Sequence, residues 1–157
     1  MRNIFLIIIF FVFAQCGFKP IFSTKEVNFK IETIKSNNKI DIIENRLYFL
    51  NSTSPKFFYN LDINYSEAKS TLSKNSQGKP LLLRMEIKIN LLVIENDKVI
   101  LEKDYVNNFD YQNLDKKFEL SDYEDDIKKS MLDEIANKIL IDLTDLKWSW
   151  NQLKQIK

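Results

Sequence analysis

The chain has one cysteine, Cys16, which follows an apolar run and opens the segment Cys16-Gly17-Phe18-Lys19-Pro20-Ile21-Phe22. Arg2 gives a positive start, Ile4 to Ala14 form a short hydrophobic stretch, and the thiol comes directly afterwards. This is the order of a secretory signal whose removal after residue 15 leaves Cys16 as the new N-terminus. A thiol there can be acylated, converting a soluble domain into an anchored one. The apolar run is about half the ~20 residues needed to span a bilayer, which disfavours a permanent transmembrane helix. Gln15 stands where lipoprotein signals usually place a small residue. An ordinary signal peptide or a short buried strand are therefore the alternatives, but the segment has no polar face to offer water.

Other chemistries are poorly supplied. With no histidine, the chain cannot build Ser-His-Asp or Cys-His mechanisms or any His-ligated metal site. A single thiol forms neither an intramolecular disulfide nor a cysteine metal cluster. The two glycines, Gly17 and Gly78, are too few for a phosphate-cradling loop. Carboxylate, lysine or serine chemistry is left, and no spacing nominates a pair, so the chain reads as a non-enzyme without cofactor or metal. The charges balance at 23 basic against 22 acidic residues. Removing residues 1–15, whose one charge is Arg2, leaves 22 against 22. A balanced chain lacks the basic excess that attracts nucleic acid.

At 157 residues, the length suits a signal over 1–15 and one domain over 16–157. Val27, Phe29 and Ile31 alternate with polar residues as in a half-buried strand. Ile43, Leu47 and Leu50 then follow helical spacing; Asp41 and Glu44 resemble a capping box, and Asn51 fits a left-handed stop. Strand alternation returns from Phe57 to Tyr65, and Ser73 to Pro80 reads as a loop. The clearest strand places Leu81, Leu83, Met85, Ile87, Ile89, Leu91 and Val93 on one face, with Arg84, Glu86 and Lys88 on the other. Asn96-Asp97 can turn the chain into a return strand from Val99 to about Phe109, whose apolar face is interrupted by Lys103 and Asn107.

Ser121 with Glu124 forms an S-x-x-E capping box, beside Asp122, Asp125 and Asp126. These acids could suggest calcium, but they match no EF-hand spacing and capping explains them better. The helix that follows carries Ile127, Met131, Ile135, Ile139, Leu143 and Leu146 as a stripe continuing to Trp150 and Leu153. Glu124-Lys128, Asp125-Lys129 and Glu134-Lys138 can pair on its wet face. A strand of about thirteen residues spans roughly 43 Å, and a helix from Asp122 to near Leu153 roughly 48 Å. The expected fold is α+β: a mostly antiparallel or mixed sheet of about four strands, two helices on one face, elongated in outline.

In this order the pattern resembles the LPS-assembly lipoproteins, LptE-like proteins of the alphaproteobacterial type. Cys16-Gly17-Phe18-Lys19-Pro20-Ile21-Phe22 is similar to that family's Cys-Gly-Phe-Arg-Pro-Leu-Tyr start. Glu44-Asn45-Arg46-Leu47 in the first helix, and Gln77-Gly78 before Leu83-Arg84-Met85, add weaker likeness. The resemblance implies a non-enzymatic lipoprotein on the periplasmic face of the outer membrane, anchored through Cys16. Such a protein plugs and helps assemble an LptD-like β-barrel translocon and aids insertion of lipopolysaccharide. Gly17 rather than Asp after the cysteine is compatible with outer-membrane sorting.

For lipopolysaccharide phosphates the candidate contacts are Lys79, Arg84 and Lys88, because a guanidinium can bind phosphate bidentately. The plainer reading is a solvated strand face on which Arg84, Glu86 and Lys88 pair with one another. Trp148 and Trp150 could dock a partner or membrane interface, or simply pack at a helix end. Two other classes stay open. One is a generic periplasmic lipoprotein, with a helix-on-sheet fold, binding another envelope protein. The other, ranked last because no spacing nominates a carboxylate pair, is a hydrolase using Lys or Asp/Glu in a cleft, which a concave pocket of converging acids would favour.

Overall fold

Alternating apolar residues build a four-stranded sheet in the computed structural model, which describes residues 28–49 and 51–155, with side chains as far as 146. The signal, Cys16, Val27 and Leu50, and the side chains of Trp148, Trp150 and Leu153, lie outside what it describes. In chain order the elements are β1 (Phe29–Ser36), α1 (Asp41–Phe49), β2 (Phe57–Lys74), β3 (Pro80–Glu95), β4 (Lys98–Gln112) and α2 (Lys117–Gln155). The sheet order is β1-β2-β3-β4. β1 runs parallel to β2, and the other pairs are antiparallel, so the sheet is mixed. A parallel pair needs a crossover, and α1 provides it.

The odd-numbered residues of β2 and β3 face the helices. Tyr59, Leu61, Ile63 and Tyr65 join Met85, Ile87, Ile89, Leu91 and Val93 in one core. α1 adds Ile43 and Leu47; α2 adds Ile127, Met131, Ile135, Ala136, Ile139 and Leu143. Both helices thus cover one face, as the apolar stripes require. β2 has 18 residues, roughly 60 Å at about 3.3 Å each. α2 has 39, roughly 58 Å at about 1.5 Å each. The fold is elongated, as expected.

Several expected boundaries are corrected. β2 continues through Ser66–Lys74, where every residue is exposed, because eight register pairs tie that stretch to β3 in place of burial. The loop shrinks accordingly, and Pro80 opens β3, a position that tolerates its missing N–H. Asn75 closes this turn: its side-chain oxygen accepts from the amides of Gln77 and Lys79, while Gly78 takes φ +80°. Asn96 and Asp97 adopt positive φ at the β3–β4 turn, as anticipated.

α2 begins at Lys117, a turn earlier than Ser121, which therefore lies inside the helix and does not cap it. The amide of Leu120 donates to the Lys116 carbonyl, which founds the first turn. α1 is likewise founded on the Ile40 carbonyl, which accepts from the Ile43 and Glu44 amides, so Asp41 is not the cap. Asn51 follows α1, its amide donating to the Tyr48 carbonyl at 3.2 Å. Its side chain accepts from the Ile31 amide at 2.7 Å and covers the outer edge of β1. There β1 has a bulge between Ile31 and Thr33.

Candidate functional surfaces

Cys16 lies outside the described residues; the described surfaces are the open sheet face, the helix–sheet seam and the grooves between them. The open face holds the even-numbered residues of β2, β3 and β4. Here Arg84 and Lys88 fall on one side of β3 as expected, with Glu86 between them, while Lys79 sits in the preceding turn. Each has a carboxylate partner. Arg84 grips Asp110 of β4 with two bonds, Nε to Oδ1 at 2.6 Å and a second guanidinium nitrogen to Oδ2 at 2.8 Å. Lys88 reaches Glu86 at 2.8 Å, and Lys79 bonds Asp115. The Asp110 carboxyl is held below its usual range by its bond to Arg84, and Asp115 by its bond to Lys79. The structure thus places Arg84 and Lys88 together, each already neutralised. An arriving phosphate would have to displace a carboxylate.

The seam between α2 and the sheet holds an arrangement that the sequence reading missed. Three carboxylates each accept from one tyrosine hydroxyl and one lysine. Glu67 takes Tyr65 at 2.7 Å and Lys128 at 2.6 Å. Glu124 takes Tyr111 at 2.6 Å and Lys69 at 2.7 Å. Asp142 takes Tyr105 at 2.6 Å and Lys103 at 2.7 Å. Asn107 adds a bond to Glu134 at 2.9 Å. Lys103 and Asn107, which interrupt the apolar face of β4, are therefore helix clamps. Glu124 and Lys128 do not use one another, as their i, i+4 spacing suggested; each crosses to β2. Lys129 takes Asp126 at 3.5 Å in place of Asp125, whereas the Glu134–Lys138 pair forms at 2.7 Å.

These clamps shift protonation in the expected directions. Burial raises the Tyr105 and Tyr111 hydroxyls, and the carboxylates that accept from them raise them further. Burial, then the nearby Glu95 charge, pushes Tyr59 up to about 12. Burial opposes ionisation of Glu67 and Glu124, but the bonds from Lys128 and Tyr65, and from Lys69 and Tyr111, outweigh it and hold both carboxyls low. Lys128 is raised chiefly by Glu67. Tyr65, Tyr105 and Tyr111 thus stay donors, and Glu67 and Glu124 stay acceptors.

The grooves are shallow. One of about 520 Å³ is lined by Leu82, Asp110, Tyr111, Gln112, Leu114 and Tyr123. Another of about 410 Å³ crosses the open face between Asn64, Ser66, Lys88, Asn90, Asp104 and Val106. Their acids are spoken for: Asp110 by Arg84, and Asp104 by the Asn90 amide at 2.8 Å. Among the described residues no three His, Cys, Asp or Glu side chains group to hold a metal. No described helix is long and apolar enough to cross a membrane.

No protein-family model matches the sequence, and no curated protein matches it. Solved structures do match. Rare lipoprotein B from Shewanella oneidensis superposes with a TM-score of 0.64 at 15% identity, covering 78% of this chain and 98% of that one. A minor lipoprotein from Acinetobacter baumannii gives 0.61 at 15% identity, over 78% and 96%. Lipoprotein B from Nitrosomonas europaea gives 0.60 at 14%, over 79% and 88%. At these identities the likeness is one of fold, and the chain has the fold of these bacterial rare and minor lipoproteins.

Proposed function

We propose that this chain is a non-enzymatic outer-membrane lipoprotein of the LptE-like kind. It is anchored through Cys16 on the periplasmic face, where it plugs and helps assemble a β-barrel lipopolysaccharide translocon. The observation that carries the reading is the shared fold, covering 98% of a rare lipoprotein B, on a chain whose lone cysteine follows a signal-like apolar run. Shape supports it: an elongated slab with shallow grooves suits a lumen better than it suits enclosed catalysis. A polar sheet face, with Asn60, Asn64, Asn90 and Asn108 among its residues, also suits the polar interior of a large barrel. Acylation of Cys16 requires more than one chain for stable anchoring, since a single chain holds only marginally. Lipopolysaccharide phosphates would meet Arg84 and Lys88 by exchange with Asp110 and Glu86, with Lys79 at the neighbouring turn.

Purification of the tagged chain from membranes, with intact-mass analysis of wild type and Cys16→Ala, tests this reading. An acylated N-terminal cysteine and one large co-purifying barrel protein are expected, the acylation lost in the variant. A soluble, unmodified wild type without a barrel would return the chain to the alternative, a periplasmic domain serving another envelope protein.

A further inference from the structure

We infer that a second copy of this chain pairs with β2 along the unpaired edge centred on Ala68, joining two sheets antiparallel about a two-fold axis. β1 covers the outer edge of β2 only from Phe57 to Ile63. Asn37 then ends that cover. Its side-chain oxygen accepts from the Tyr65 amide at 2.8 Å, and its side-chain nitrogen donates to the Tyr65 carbonyl at 3.0 Å. Tyr65 therefore turns its own N–H and C=O away from β3. Alternation along an antiparallel strand turns those of Glu67 and Lys69 the same way. At the far end the register breaks between Thr71 and Ser73, and such a bulge bends a strand away from its line. The regular open edge is thus Ser66-Glu67-Ala68-Lys69-Ser70, and among the described residues nothing pairs with it.

That stretch is its own complement. Antiparallel pairing centred on Ala68 sets Ser66 against Ser70, and Glu67 against Lys69, in both directions. Glu67 and Lys69 would exchange four backbone hydrogen bonds across the axis while placing opposite charges face to face. Moving the centre by one residue places Lys69 against Lys69 or Glu67 against Glu67, which charge disfavours. Isolated edge strands are ordinarily protected by outward charges. Here those charges are drawn onto the helix: Lys69 to Glu124, and Glu67 to Lys128. The other face presents only Ser66, Ala68 and Ser70. In the pair, Lys128, Glu67, Lys69 of the second copy and Glu124 of the second copy alternate in sign along one row. The inference stands on this edge and does not depend on the translocon reading.

Cross-linking in the full chain carrying Cys16→Ser tests it, together with sedimentation over a range of concentrations. Two copies of Ala68→Cys would face each other as a non-hydrogen-bonded pair, with Cα atoms about 4.5 Å apart, inside the roughly 4.4–6.8 Å range of disulfides. Expected are a concentration-dependent doubling of mass and rapid symmetric disulfide formation by Ala68→Cys. Ser66→Cys mixed with Ser70→Cys should cross-link, each alone far less, and Ser76→Cys at the exposed turn should not. A single-chain mass at every concentration, with Ala68→Cys no faster than Ser76→Cys, overturns the inference. So does cross-linking in the pure pools of Ser66→Cys or Ser70→Cys, which denies the register.

Discussion

The two halves of β2 are held by different forces. From Phe57 to Tyr65 the strand lies between β1 and β3, with Tyr59, Leu61, Ile63 and Tyr65 buried under the helices. From Ser66 to Lys74 its one paired strand among the described residues is β3, and it buries no residue. α2 mirrors the change: Ile127, Met131, Ile135 and Ile139 are buried, whereas Lys117 to Asp126 are exposed or half-buried. In the outer half the helix is tied down by Glu124 and Lys128, reaching to Lys69 and Glu67. A long strand can thus outrun its core when a partner strand supplies the hydrogen bonds and charged clamps supply the tertiary contact.

Breaking the inner half should cost most. Ile89→Ala removes a fully buried side chain and should lose about 2–5 kcal/mol of unfolding free energy in denaturant titration. A loss under about 1 kcal/mol would show that the inner core is not close-packed. In the outer half, Glu124→Ala leaves the Tyr111 hydroxyl without its acceptor and should cost about 1 kcal/mol. The accompanying signature is faster hydrogen exchange confined to Leu83–Met85 and Phe109–Tyr111, because the outer half opens locally. Uniform acceleration through Ile87–Val93 would mean the two halves are one cooperative unit.

Acid should separate the halves next. Glu67 and Glu124 have folded-state pKa values below their unfolded ones, so the stability they contribute is present above the ordinary carboxylate range and lost as pH falls through the folded values. The denaturant midpoint should decline below that range, and the decline should flatten in Glu67→Gln with Glu124→Gln. An unchanged pH profile in that double variant would remove the clamps from the explanation. Smallest of all, Arg84→Ala on the open face should leave the denaturant midpoint where it was, because its pair with Asp110 is solvated. A clear drop would show that the open face helps hold the sheet.

The inner half was legible because its physics is periodic. Period two in Phe57–Tyr65 and Leu81–Val93, and the helical stripe from Ile127 to Leu143, specify which face is buried. The outer half was not, since Ser66–Lys74 is polar throughout and its strand form comes from pairing with β3. The same limit applies to Asn37, Asn51 and Asn75, whose side chains take the place of backbone partners across turns. The clamps had one visible trace: Glu67, Lys69 and Lys103 sit on the apolar side of their strands. Their partners on α2 could be matched only once register and helix position were known. Of the ligand candidates, Arg84 and Lys88 were correctly placed on one face, but the cross-strand pairing of Arg84 with Asp110 needs the hairpin register.

Depletion of this chain in its host, with the outer-membrane translocon barrel and surface lipopolysaccharide read together, tests the plug role most directly. Loss of correctly assembled barrel, followed by loss of lipopolysaccharide from the surface, and rescue by wild type but not by Cys16→Ala, are the expected results. A barrel that assembles normally and a surface that keeps its lipopolysaccharide after depletion would contradict it.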